Sequence, residues 1–153
     1  ILPNATVINA KRHPLDCCIS CFKQLFYKGQ SWSYDLFEIG EYYLEYDRMM
    51  KHWHTVLPNE IHDLEYAEMI NDQKNVTRRL LNFCQLDWEE KCLRFYETKR
   101  SINTASSEQV RLPIYKGALN SWRLYEEHIG PLIEILEPVL LELPKEDRPK
   151  LLQ

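Results

Sequence analysis

Residues 35–57 constrain the fold more than any other part of the sequence. The apolar residues of this segment recur at intervals of three and four, the spacing of one face of an α-helix. They are Leu36, Ile39, Tyr43, Tyr46, Met50, Trp53 and Leu57. Asp35 and Glu38 have the spacing of a capping box, and Pro58 follows the last apolar residue. The pattern predicts a long helix with a continuous core-facing stripe; a coiled coil would need a longer repeat.

Strands followed by helices make up much of the remaining chain. Residues 6–10 and 61–66 are β-prone and are predicted to be strands. Residues 15–27, which follow Pro14, and residues 72–84 have helical patterns. On the first of these helices, Cys18, Phe22 and Leu25 are predicted to share one face, and Asp16, Ser20, Lys23 and Tyr27 the other. The order predicts a mostly helical α/β protein with few parallel strands, too few for a complete sheet.

The last third of the chain mixes capped helices with an irregular segment. Asp87 and Glu90 have the spacing of another capping box before a short helix. Residues 98–116 lose all periodicity, and a loop of that length is either functional or disordered. Residues 122–143 are predicted to be helical, with interruptions at Gly130-Pro131 and at Pro138.

Composition and charge exclude several classes of function. The 153 residues suffice for one domain, and 44% apolar with 27% charged residues is typical of a globular chain. The net charge of −4 argues against a general nucleic-acid-binding protein. Apolar runs fall short of the roughly 18 residues that span a membrane, and no export signal is evident. With an odd count of five cysteines, a reducing, cytoplasmic setting is expected.

The cysteine cluster resembles a metal site only in part. Cys18 and Cys21 have the two-residue gap that structural zinc prefers, and Cys17 is adjacent. A second ligand pair is missing because Cys84 and Cys92 lie eight residues apart. Cys18 is also a turn inside the predicted helix, whereas a redox thiol needs an exposed helix start. We therefore predict core thiols and no metal site.

Arg12 and Ser20 form the stronger candidate site. Arg12 follows the first predicted strand, at the carboxyl end where open α/β sheets bind ligands. Ser20 lies two helical turns into the next helix, so the two residues could offer a guanidinium fork and a hydroxyl to one phosphate. An exposed arginine and a solvated serine would explain the same pattern.

Four blocks of sequence resemble the sulfotransferase family, whose enzymes transfer a sulfuryl group from 3′-phosphoadenosine 5′-phosphosulfate (PAPS) to a hydroxyl or amine. The blocks are RHPLDCCISCF, HDLEYAEMINDQKNVTRRLLNFCQLDW, TASSEQVRLPIYKGALNSW and YEEHIGPLIEIL, in that order. The resemblance is closest to a bacterial branch in which the domain often follows tetratricopeptide repeats, with similarity to tyrosylprotein sulfotransferases.

The first two blocks imply nucleotide-binding residues. In the family, a strand-end Arg and a Ser eight residues later bind the 3′-phosphate, and Arg12 and Ser20 have that spacing. A Tyr that opens a Tyr-Glu-Asp-like motif lies near the adenine, and Tyr66 matches it. Ala67 and Glu68 follow here, so the acidic part of that motif is altered.

The third block implies a lid over the cofactor. A Ser sixteen residues before a Trp contacts the sulfate-bearing region in tyrosylprotein sulfotransferases, and Ser106 and Trp122 have that spacing. Lys116 and Gly117 resemble the end of an Arg-Lys-Gly motif that binds the 3′-phosphate, although Tyr115 replaces its Arg.

The resemblance also implies what lies outside this sequence. Residues 1–153 would be the C-terminal portion of a single sulfotransferase domain with a P-loop-like three-layer fold, incomplete here. The phosphosulfate loop and the catalytic base would lie upstream, so this portion alone is expected to be inactive. PAPS would be the co-substrate, no metal would be required, and the sulfate acceptor is unspecified. Two alternatives stay open: a noncatalytic nucleotide-binding remnant and a helical protein-interaction module built on residues 35–57.

Overall fold

Among the residues that the structure describes, two parallel strands form a sheet. In the computed structural model, which describes residues 5–26, 28–101 and 108–153, β1 (Val7–Lys11) pairs with β2 (Ile61–Glu65). Val7 is opposite Ile61 and Lys11 is opposite Glu65. Both strands lie within one residue of the predicted positions, and the prediction of a mostly helical α/β fold with few parallel strands is confirmed.

Helices and short 3₁₀ turns make up most of the other described residues. The α-helices are α1 (Pro14–Phe22), α2 (Leu36–Val56), α3 (Tyr66–Asn71), α4 (Gln73–Phe83) and α5 (Gly130–Leu140). The 3₁₀ segments are Ser31–Tyr34, Glu90–Glu97, Gln109–Arg111, Lys116–Ala118, Ser121–His128, Lys145–Asp147 and Lys150–Leu152. Across the described residues, none of these helices combines the length and apolar character that a bilayer crossing requires.

The chain divides into two compact units. The first unit contains the described residues up to Arg12 and those from Leu57 to Lys116; the second contains His13–Val56 and Gly117–Gln153. The sheet, α3 and α4 belong to the first unit, and α1, α2 and α5 belong to the second.

The hydrophobic core of the second unit lies among α1, α2 and α5. Its buried members are Leu15, Cys18, Ile19, Ile39, Trp122, Ile129, Leu132, Ile133, Leu136, Val139 and Leu140. Gly40 allows α2 to approach α5 closely, because a β-carbon there would overlap the side chain of Ile135.

The predicted core-facing stripe of α2 exists only in the first half of the helix. Ile39 is buried, and Leu36 and Tyr43 pack against the core, whereas Trp53 is 40% exposed. The reason is length: α2 has 21 residues and α5 has 11, so α5 can cover only part of it.

The first predicted helix is shorter than expected and differently oriented. α1 ends at Phe22, and Leu25 beyond it is 82% exposed; residue 27 lies outside the described residues. The amides of Lys23 and Gln24 bond to carbonyls of the last turn and tighten it. Asp16, predicted on the polar side, is buried because its carboxylate accepts three hydrogen bonds.

Two predicted helix boundaries are also wrong. The segment Glu90–Glu97 begins without a side-chain cap, because Glu90 accepts a hydrogen bond from the Trp88 indole instead of completing a box with Asp87.

Pro138 lies inside α5 and does not interrupt it. Pro138 is on the exposed side of the helix, where water can satisfy the carbonyl group that its missing N–H leaves. The predicted break at Gly130-Pro131 is confirmed, since α5 begins there.

Candidate functional site

The carboxyl end of the sheet brings Arg12 and Tyr66 together. Each residue directly follows its strand, and the parallel register that aligns Lys11 with Glu65 makes them neighbours. The guanidinium carbon of Arg12 lies 5.3 Å from the centroid of the Tyr66 ring. This is a cation–π contact, which favours a fixed orientation of the planar guanidinium.

The positive charge of Lys11 is already met by carboxylates of β2. Its Nζ lies 3.1 Å from Oε1 of Glu65 and 3.6 Å from Oδ2 of Asp63. Partial burial lowers the pKa of Lys11, but the two carboxylates raise it by more, so the pKa lies above its ordinary value. Asp63 also accepts a hydrogen bond of 2.8 Å from Asn9. Lys11 is therefore poorly placed to bind a further anion at this end of the sheet.

An acidic cleft of about 670 Å³ lies beside β2 in the first unit. It is lined by His62, Asp63, Leu64, Glu65, Ala67, Glu68, Asn71, Asp72, Val76 and Arg79. Arg79 is paired with Glu68, and hydrogen bonds from Asn75 hold the pKa of Asp72 below its ordinary value. Since four carboxylates face one arginine, the cleft suits neither a phosphate nor a sulfate group, and Arg12 is not among its lining residues.

The other predicted site residues lie in different elements. Ser20 is exposed on α1, in the second unit. Lys116 and Gly117 lie in the 3₁₀ turn Lys116–Ala118; Lys116 is the last residue assigned to the first unit, and Gly117 is assigned to the second. Ser106 lies outside the described residues. Of the predicted residues, the structure shows direct contact for the Arg12 and Tyr66 pair.

Asp16 is a structural residue that the sequence pattern did not identify. Its carboxylate is 1% exposed and accepts hydrogen bonds from the amide of Asn120, the hydroxyl of Ser121 and the amide of Trp122, at 2.7–2.9 Å. It thereby caps the 3₁₀ helix Ser121–His128, whose own preceding residue Asn120 has a left-handed backbone (φ 56°) and no side-chain cap bond. The acidic residue in the first turn of α1 was visible in the sequence, but partners more than 100 positions away were not.

The cysteine cluster has the core role that the sequence predicts for Cys18. This thiol is 2% exposed, and burial raises its pKa to about 12, with a smaller contribution from Cys21. Cys17 and Cys21 are half-buried. Burial keeps such a thiol protonated near neutral pH, so Cys18 is poorly suited to act as a nucleophile or a metal ligand. Within the described ranges, no group of three or more His, Cys, Asp or Glu side chains is placed to hold a metal ion.

Comparison with known proteins identifies the family. The model of the Sulfotransferase family matches residues 1–90, more than half of the chain. The chain belongs to the sulfotransferase family. A relative from Aquifex aeolicus (strain VF5), described as an uncharacterized protein, is 39% identical over 140 residues. That alignment covers 90% of this chain but only 18% of the relative, so the chain spans less than a fifth of its length. No solved structure matches the chain.

The sulfotransferase match divides the predicted site residues into two groups. Arg12, Ser20 and Tyr66 lie within the matched residues 1–90, whereas Ser106, Lys116 and Gly117 lie beyond them. The small parallel sheet with surrounding helices is consistent with part of an α/β sulfotransferase fold.

Proposed function

We propose that this chain supplies the 3′-phosphate-binding part of a sulfotransferase that transfers a sulfuryl group from PAPS to a hydroxyl or amine acceptor. The observation that carries the proposal is Arg12, held over Tyr66 at the carboxyl end of the parallel strands in a chain of the sulfotransferase family. A guanidinium in that place suits a phosphate, because its donors match two phosphate oxygens at once. Tyr66 would lie near the adenine and position Arg12.

The remaining residues have proposed roles of unequal support. The family resemblance assigns Ser20, Lys116 and Gly117 to binding of the 3′-phosphate, and these roles are proposed on that ground. Ser106 would steady the transferring sulfuryl group.

Sulfuryl transfer is an in-line displacement in which the acceptor oxygen or nitrogen forms the new bond to sulfur. The bond from sulfur to the bridging phosphate oxygen breaks, and negative charge collects on the departing nucleotide. The residues of this chain would contribute positioning, by anchoring the nucleotide at the end remote from the reacting sulfur. The group that takes the acceptor proton would come from the upstream part of the domain.

The exposure of the strands supports a domain larger than this chain. Val7 and Ile8 of β1 are 44% and 43% exposed, although strands of parallel sheets are normally covered on both faces. β2 instead has the charged side chains Asp63 and Glu65, which are typical of an edge strand. The sheet would therefore continue beyond β1, and residues 1–153 would form the C-terminal portion of the domain.

Calorimetry on the full-length protein tests the proposal. We expect 3′-phosphoadenosine 5′-phosphate to bind about 10- to 100-fold more weakly to the Arg12→Ala variant, the effect of losing a charge-assisted bidentate contact. Adenosine 5′-phosphate, which lacks the 3′-phosphate, should bind wild type and variant alike. The matched control is Arg94→Ala, which removes an exposed arginine of the same unit that pairs with Glu97. Equal affinity of Arg12→Ala and wild type for the 3′-phosphorylated nucleotide would overturn the assignment.

A further inference from the structure

His13 uses both of its ring nitrogens at the start of α1. Its Nδ1 accepts a hydrogen bond from the amide of Leu15 at 3.2 Å, and its Nε2 lies 2.9 Å from the carbonyl oxygen of Asp147. An amide can only donate and a carbonyl can only accept, so Nδ1 must be unprotonated and Nε2 must carry the proton. The geometry thus fits one state of the side chain, the neutral Nε2–H tautomer.

The imidazole ring joins three segments of the second unit. It is the N-cap residue of α1, and its ring stacks on the buried Trp122 with centroids 5.2 Å apart and planes 15° apart. Trp122 lies in the 3₁₀ helix Ser121–His128, and Asp147 ends the 3₁₀ turn Lys145–Asp147. The neutral ring therefore ties the first turn of α1 to two segments more than 100 residues later.

The charged groups around His13 come from each of these segments. Burial lowers the pKa of His13, and the charge of Arg123 lowers it further. Asp16 of α1 and Asp147, through both its carbonyl oxygen and its charge, oppose that shift without reversing it. The carboxylate of Asp16 is already bonded to three donors of residues 120–122, so it is poorly placed to compensate a charge on His13.

We propose that His13 is a pH-responsive cap whose neutral imidazole fastens the first turn of α1 to the segments around Trp122 and Asp147, and whose protonation releases that turn. A proton on Nδ1 would turn an acceptor into a donor facing the Leu15 amide, so the cap bond is lost. The new positive charge would also lie at the amino end of a helix, where cations are unfavourable. Ser20 lies on the same helix, so under the proposed function a loosened α1 would hold the 3′-phosphate less well.

The direction of the pH effect follows from linkage. Because the pKa of His13 is lower in the folded chain than its ordinary value of about 6.5, the unfolded chain takes up the proton first as pH falls. The contribution of His13 to stability is therefore complete above about pH 6.5 and is lost as the pH falls below it.

The test compares the wild-type chain with His13→Asn, in which an amide oxygen can cap the helix but does not titrate. The Tm of each protein is measured without nucleotide at pH 7.5 and at pH 5.5. Over this change we expect the Tm of the wild type to fall by roughly 3 °C or more beyond the fall of the His13→Asn variant. His128→Asn, which removes an exposed histidine of the same unit, should keep the wild-type pH dependence. Identical pH profiles for wild type and His13→Asn would overturn the proposal.

Two further measurements keep the result decisive. Two-bond ¹H–¹⁵N correlation spectra of the wild type should show the Nε2–H tautomer at His13 with a titration midpoint below 6.5; a proton on Nδ1 would refute the cap even if His13→Asn does not fold. Affinity for 3′-phosphoadenosine 5′-phosphate should fall between pH 7.5 and 5.5 more in wild type than in His13→Asn. A chain that shows the Tm difference but binds no nucleotide would refute the proposed function and leave the cap established.

Discussion

The two units of this protein are stabilised in different ways. The second unit has a hydrophobic cluster of eleven buried residues contributed by three α-helices and the segment around Trp122. Among the described residues of the first unit, the buried apolar side chains are Ile70 and Val76. The strands of that unit are joined instead by polar contacts such as Asn9 with Asp63 and Lys11 with Glu65.

This contrast separates stability from ligand binding. Side chains in a dense core cannot reach a ligand, whereas Arg12 and Tyr66 in the first unit are half-buried at a sheet end. Binding sites are commonly drawn from the less stable parts of a fold. Substitutions of buried core residues in the second unit should therefore act mainly on stability, and those at Arg12 mainly on affinity.

The largest effect should come from Asp16→Asn in the second unit. The amide group is nearly isosteric, but its NH2 replaces one of the two oxygens and so places a donor against the amide of Asn120 or against that of Trp122. Leaving buried donors unsatisfied should lower the free energy of opening by about 3 kcal/mol, measured by native-state hydrogen exchange at the amides of α5.

Asp35→Asn is the matched control for that experiment. Asp35 is exposed and caps α2 through the amides of Phe37 and Glu38, a role that Asn fills almost as well. We expect its effect to stay within about 0.5 kcal/mol. If Asp16→Asn is equally mild, the buried carboxylate is not what holds residues 120–122, and the contrast between the units rests on apolar packing alone.

A smaller effect is expected from Gly40→Ala, which tests that apolar packing directly. The new β-carbon would overlap Cγ2 of Ile135 and lie 3.3 Å from Cδ1 of Leu132. Overpacking should cost about 1–3 kcal/mol, partly offset by the roughly 1 kcal/mol that Ala gains over Gly in a helix. Urea unfolding should therefore show a net loss of about 1 kcal/mol.

Gly130→Ala in the same unit provides the comparison for Gly40→Ala. A β-carbon at Gly130 meets nothing within 4 Å, so this variant should be neutral or slightly stabilising. Combining Gly40→Ala with Ile135→Ala should restore part of the loss, because the clashing methyl group is gone. A Gly40→Ala variant as stable as wild type would show that α5 moves aside without cost.

Local sequence signals predicted most of the secondary structure. The strands, the Asp35 cap and the break at Gly130-Pro131 follow from residues adjacent in the chain, and the structure confirms them. The cap at Asp72 is of the same kind, since the side chain of Asp72 bonds the amide of Asn75. Such signals are readable because the interacting atoms are two or three residues apart.

Features that depend on distant partners were less predictable. Arg12 was selected from its place after a predicted strand and Tyr66 through the family resemblance, but their contact arises from the strand register, which brings residues 54 positions apart together. The burial of Asp16 and the solvent exposure of Trp53 likewise depend on what packs against them. Periodicity reports which face of a helix is apolar, but not how much of it a neighbour covers.

A gain in stability, in place of a loss, is expected from Gln85→Gly in the first unit. Gln85 follows the end of α4 and has a left-handed backbone (φ 56°). Its amide donates to the carbonyl oxygen of Asn82, and the amide of Leu86 donates to that of Leu81, which is the pattern of a Schellman motif. Gly adopts this conformation without the steric cost that Gln bears, so we expect a gain of about 0.5–1 kcal/mol in urea unfolding.

Asn59→Gly is the internal reference for that gain, because Asn59 also has a positive φ (69°) in the same unit. Asn tolerates the left-handed region better than Gln, so its replacement should gain less, on the order of a few tenths of a kcal/mol. Equal gains at both positions would indicate that backbone strain does not depend on the side chain here. A gain at Gln85 alone would show that local backbone strain lowers the stability of the sparsely packed first unit. A densely packed core, such as that of the second unit, could more easily offset the same cost.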